Sequence, residues 1–145
     1  ADVPEQIRKT FEDVKLLRKQ RDEALEELAG ATASAALHDS RDVQGRKVIV
    51  RLFRDRDISF AKLFAQRVAR GGIPAIALVG STVDPPGLVF AQSASGTADM
   101  GALLKQMLAS VGGRGGGSRD FAQGGVPAGT DIEQLLKQAA GTIGA

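Results

Sequence analysis

A chain of 145 residues, 43% hydrophobic and 25% charged, has the apolar content for one modest core and little more. It contains no cysteine, which excludes disulfides and thiolate metal sites, and its six aromatics are all Phe, which excludes stacking platforms of Tyr or Trp. Its formal charge of +2 hides an asymmetry: residues 1–45 hold seven Lys/Arg against ten Asp/Glu, net −3, and residues 46–145 hold twelve against seven, net +5. Eight cations and two acids fall within 46–70 alone, so a positive lobe follows an acidic arm. That arrangement suits a polyanionic partner, although scattered solvated arginines produce the same count. No stretch approaches the roughly 20 apolar residues that span a bilayer, so no membrane partner is expected. The start, ADVPEQIRKT, has neither a Met nor the basic-then-apolar pattern of a signal peptide. A helix pattern begins almost at once, which predicts a piece of a longer protein; the absence of cysteine fits a reducing, cytoplasmic setting.

Pro4 suits a first helical turn, with Asp2 and Glu5 beside its positive end. Ile7, Phe11, Val14, Leu17, Ala24, Leu25 and Leu28 then recur at three- and four-residue steps, predicting an amphipathic helix of about seven turns. Ile7, Val14, Arg21 and Leu28 share one heptad position, and Thr10, Leu17 and Ala24 share the other. Arg21 and Thr10 spoil a long two-stranded seam. A short antiparallel hairpin or a dimer contact through Ile7, Val14, Leu17 and Leu28 is therefore expected. After Gly30, the alanine-rich ATASAALHDS either continues the helix or turns it back. Residues 1–42 are assigned to this coiled-coil-like arm and 43–145 to a globular domain.

In the globular part KVIVRLF (47–53) predicts a strand, and DISFAKLFAQRVAR (57–70) predicts a helix stopped by Gly71-Gly72. IPAIALVG (73–80) predicts a buried strand, VDPPG (83–87) a turn, and LVFAQSA (88–94) a strand returning antiparallel. Met100, Leu103, Leu104, Met107, Leu108 and Val111 lie on one helical face. A glycine loop follows. Thr130 and Glu133 have capping-box spacing and open a last helix, with Ile132, Leu135, Leu136 and Ala139 inward. The expected fold class is α/β: a small mixed β-sheet covered by helices, in the order β-α-β-β-α-glycine loop-α, preceded by the long helical arm.

Eight of the eighteen residues 112–129 are glycine, and two arginines run through them. Such backbone can turn several N–H groups toward one anion, as in phosphate-binding nests. Arg114 and Arg119 offer bidentate hydrogen bonds to phosphate, while Ser118 and Gln123 offer neutral donors. A flexible linker is the plainer alternative, but Phe121, Ala122 and Gln123 interrupt the glycines with an anchored pattern. A P-loop is excluded because no Lys precedes Ser118; the dinucleotide fingerprint fails because Ser118 or Asp120 stands where its third glycine belongs. The single His38 makes no metal site, and Asp55 and Asp57 before a helix read as caps rather than catalysts. No catalytic residue, metal or cofactor is expected in this chain.

The string GGRGGGSRDFAQGG resembles the signature of the DHH-associated domain, in the form found at the C-terminus of alanyl-tRNA synthetases. Gly112, Gly113, Arg114, Gly115, Gly116, Gly117, Ala122, Gln123, Gly124 and Gly125 all fit that pattern. The element order of residues 43–145 fits as well, and the arm resembles the helical segment after the editing domain. The resemblance implies a non-catalytic module that binds the elbow of alanine-accepting tRNA. It would support aminoacylation and editing, joined to the rest of a synthetase that uses ATP, magnesium and zinc, with possible homodimerisation through the arm. The contacts expected from donors and charge are Arg114, Ser118, Arg119 and Gln123 with the amides of Gly115, Gly116 and Gly117, aided more weakly and electrostatically by Arg46, Lys47, Arg51 and Arg54. Arg51 and Arg54 flanking a strand is an equal reading. Ser118-Arg119 departs from the Arg-Pro of many bacterial forms, which displaces the arginine by one position. Alternatives are the substrate-binding half of a DHH phosphoesterase, the tail of a freestanding alanyl-tRNA editing protein, or an oligomerisation module.

Overall fold

The computed structural model describes residues 4–145, so Asp2 and its expected place beside the first helix lie outside the described residues. The elements are α1 (Glu5–Asp39), β1 (Asp42–Val43), β2 (Arg46–Phe53), α2 (Ile58–Ala69) and β3 (Ala75–Ser81). They continue with β4 (Gly87–Gln92), α3 (Met100–Ala109), β5 (Arg114–Gly117), β6 (Phe121–Gly125) and α4 (Ile132–Thr142).

The arm is one unbroken helix of 35 residues, not a helical hairpin. ATASAALHDS continues it because Ala29, Ala33, Ala36 and Leu37 form a stripe that is buried against α2. The facing residues, Ala61, Ala65 and Val68, are small too, so the two backbones approach closely. Gly30 lies within the helix, and a Cβ there would be in ordinary contact with the Arg67 guanidinium, 3.5 Å away. Before Leu25 the helix leaves the domain, and Ile7, Phe11, Val14 and Leu17 are exposed.

Six strands form one sheet in the order β1-β2-β3-β4-β6-β5. β2 and β3 are parallel, as their connection through α2 requires; every other neighbouring pair is antiparallel. α1 and α2 cover one face, where Ile49, Phe53, Ala75, Ala77, Val79, Val89 and Ala91 point. α3 and α4 cover the other, over Ile76, Leu78, Leu88, Phe90 and Ala122. Covered on both sides, β3 and β4 are buried at every position, which explains why they are apolar apart from Ser81 and Gln92 at their ends. α2 lies over β3 and β4 and stops there, so β6 and β5 have a helix on the α3 side only.

The helix caps follow the sequence with one shift. Asp57 accepts a 3.0 Å hydrogen bond from the Phe60 N–H and so caps α2, as its position suggested. α4 is capped by Asp131, which accepts from the Gln134 N–H at 3.1 Å. The expected Thr130–Glu133 capping box does not form, because the Thr130 hydroxyl donates back to the Pro127 carbonyl at 2.6 Å.

Candidate nucleic-acid interface

The glycine-rich segment is not a loop. It folds as the β5–β6 hairpin at the edge of the sheet, with Arg114 opposite Gly125 and Gly117 opposite Ala122. The reason is steric: a Cβ on Gly115 would stand 2.3 Å from the Gly124 Cα, and one on Gly117 2.3 Å from the Phe121 carbonyl oxygen. A Cβ on Gly124 would strike the Leu108 side chain, which crosses the hairpin from α3. Glycine here serves close approach between two strands and a helix, rather than an open nest. Gly116 is different, since a Cβ there would meet only the Lys105 side chain at 3.5 Å.

The hairpin sorts its amides into two sets. The Ser118 N–H donates to the Phe121 carbonyl at 2.8 Å, making that a hydrogen-bonded pair. Antiparallel alternation then pairs Gly116 with Gln123 and Arg114 with Gly125, and turns the N–H groups of Gly115 and Gly117 off the free edge. The expected trio Gly115, Gly116 and Gly117 thus reduces to two available donors. The Ser118 hydroxyl is also engaged, receiving the Phe121 N–H at 3.2 Å and closing the turn. Gln123 projects from β6 and is exposed.

The two hairpin arginines differ from the other candidate cations in what surrounds them. The Lys47 ammonium donates to the Leu37 carbonyl at 2.6 Å and the Ser40 carbonyl at 3.1 Å, satisfying the C-terminal end of α1. Arg46 donates to the Ile143 carbonyl at 3.0 Å, beyond the last turn of α4. Arg51 lies 5.5 Å from the Phe64 ring centroid and 5.9 Å from that of Phe53. Arg54 faces Glu133 at 3.6 Å with both side chains well exposed, a pair worth little. The Arg114 side chain, by contrast, is exposed and has no hydrogen bond or ion pair among the described residues. Arg119 has only its neighbour Asp120, at 3.8 Å. Four strand steps part Arg114 from the turn, roughly 13 Å of chain, so the pair is spaced for separate phosphates rather than a shared clasp.

Sequence reasoning missed the polar face of α2. Lys62, Gln66 and Arg70 recur every four residues, and that spacing was legible as a single helical stripe. Lys62 reaches to 5.9 Å from the Phe121 ring centroid. Gln66 and Arg70 line a cavity that Phe121 and Asp120 close from the hairpin side. Among the described residues no group of three or more His, Cys, Asp or Glu is placed to hold a metal, and no helix is long and apolar enough to cross a membrane. His38 is exposed in the last turn of α1.

Residues 61–145 match the model of the DHHA1 domain. An alanine–tRNA ligase of Streptococcus gordonii is 30% identical over 98% of the chain, and one of Bordetella avium is 32% identical over 93%. The chain spans 16% of the length of each of these curated relatives. Its fold is that of the C-Ala domain from Aquifex aeolicus alanyl-tRNA synthetase, with a TM-score of 0.63 at 16% identity over 74% of this chain and 99% of that one. RecJ from Thermus thermophilus shares the fold at a TM-score of 0.53 and 17% identity, over 85% of this chain and 18% of its own.

Proposed function

The chain belongs to the DHHA1 domain family, and on that premise we propose that it is a non-catalytic tRNA-binding module of an alanine–tRNA ligase. The observation that carries this reading is the exposed hairpin, whose arginines lack strong partners and whose edge strand has two unpaired amides among the described residues. Arg114 and Arg119 neutralise phosphates, and the N–H groups of Gly115 and Gly117 donate to backbone oxygens. Such contacts fix position while leaving sequence largely unread, which suits a folded elbow rather than a linear site. Arg51, Arg54 and Gln123 add weaker attraction at the periphery, and Arg46 and Lys47 act mainly on helix ends. ATP, magnesium and zinc belong, on this reading, to other parts of a cytoplasmic synthetase.

The exposed row Ile7, Val14, Leu17 and Leu28 on α1 supports a second role in pairing with another copy or with the preceding part of the synthetase. Both roles fit one domain held at the end of a stiff helix.

Filter binding of the chain to alanine-accepting tRNA, across a salt series, tests the main reading. Affinity is expected to fall steeply with salt, and Arg114→Ala with Arg119→Ala to flatten that slope by about two. An unchanged slope and affinity in the double variant removes the hairpin from the interface.

A further inference from the structure

Phe53, Phe60, Phe64 and Phe90 are buried in the core, and Phe11 stands on the exposed arm. Phe121 is the one ring of the globular part that is left partly open among the described residues. It sits on β6 where α2 no longer covers the sheet, and it lines a cavity of about 520 Å³ between the end of α2 and strands β4 and β6. That volume falls in the range of small-ligand sites.

The chemistry of the walls is selective. Gln66 on α2 and Arg70 at its C-cap stand one turn apart and offer donors from one side. Asp120, in the hairpin turn, offers a carboxylate from the other. Its Oδ1 accepts from the buried Gln92 amide at 3.0 Å, which holds the group in place, and its Oδ2 has no hydrogen-bond partner among the described residues. A carboxylate repels phosphate but accepts from the N–H groups of a base. Cations nevertheless flank the cavity: Lys62 lies 5.9 Å from the Phe121 ring centroid, and Arg119 is the residue next to Asp120.

We propose that this cavity receives one unpaired guanine of the RNA partner. Guanine places two adjacent donors, N1–H and the N2 amine, beside the O6 acceptor. The donors meet Asp120, O6 and N7 meet Gln66 and Arg70, and the base lies against Phe121. Lys62 and Arg119 take the flanking phosphates. Adenine and cytosine lack the paired donors, and uracil presents one donor between two acceptors. The hairpin edge supplies sequence-independent grip; the cavity adds a preference at one nucleotide. This inference rests on the RNA-binding reading above.

Fluorescence anisotropy with labelled uridine pentamers carrying guanosine, adenosine or inosine at the centre tests it on the intact chain. The guanosine pentamer is expected to bind about tenfold tighter than the adenosine one, with inosine, which lacks the N2 amine, in between. Phe121→Leu is expected to weaken guanosine binding about tenfold, and Phe121→Tyr to retain it. Asp120→Asn, which keeps an oxygen for Gln92, is expected to abolish the preference for guanosine; thermal unfolding of each variant establishes that it is folded. Equal binding of the three pentamers, or no binding of any, overturns the proposal. If tRNA binding remains salt-steep and dependent on Arg114 and Arg119 in that case, only the base site falls. If tRNA itself is not bound, the wider reading falls with it.

Discussion

Replacing Gly115 by alanine puts a methyl group 2.3 Å from the Gly124 Cα and 2.5 Å from the Gln123 carbonyl oxygen, about 1 Å inside ordinary contact. Both obstacles are backbone, so no side chain can swing aside. The strands must part, and the hairpin is pinned from the α3 side by Leu108 against Gly113 and Gly124. A cost of about 1–3 kcal/mol follows from overpacking of this kind. In a domain of this size that lowers the melting temperature by about 3–10 °C. Gly116→Ala is the internal control. Its methyl group meets only the Lys105 side chain at 3.5 Å, and the lost freedom of the unfolded chain favours the variant by about 0.4–1 kcal/mol. Thermal unfolding followed by circular dichroism compares the two directly. Equal melting temperatures, or a lower one for Gly116→Ala, would refute the claim that close strand approach explains these glycines.

Lys47→Met leaves the α1 C-terminal carbonyls of Leu37 and Ser40 without their ammonium donor and is expected to destabilise the chain by about 1–2 kcal/mol in urea unfolding, with tRNA affinity changed little. Asp131→Ala is expected to cost about 1 kcal/mol by the same measurement and Thr130→Ala clearly less, because Asp131 is the side chain that caps α4. Val14→Asp with Leu17→Asp is expected to lower the sedimentation coefficient of the chain without altering its melting temperature, since both side chains are exposed; a monomer before mutation ends the pairing role.

Periodicity made most of the fold legible. Strands β2, β3 and β4 and helices α2, α3 and α4 lie within a few residues of where alternation, apolar runs and caps placed them, because these signals are local. The arm's length was not legible. Gly30 and the alanines after it are ambiguous until α2 supplies a surface that small residues alone can approach. The site divided in the same way. Arg114 and Arg119 stood out as cations among glycines, and both are exposed.

Which amides remain free, and why the glycines are there, depended on partners distant in the chain. Gly115 and Gly117 are sterically committed by β6, Gly124 by Leu108 of α3, and Lys47 by the end of α1. The amino-acid order by itself determined β2, β3, β4, α2, α3 and α4, the charge asymmetry and the family pattern, since each is carried by neighbours along the chain. Tertiary structure alone decided that the glycine segment is an edge hairpin, that two of four early cations hold helix ends, and that Phe121 meets Gln66 and Arg70 across a cavity. Pairing and packing act through space, and no local pattern encodes which surfaces will meet.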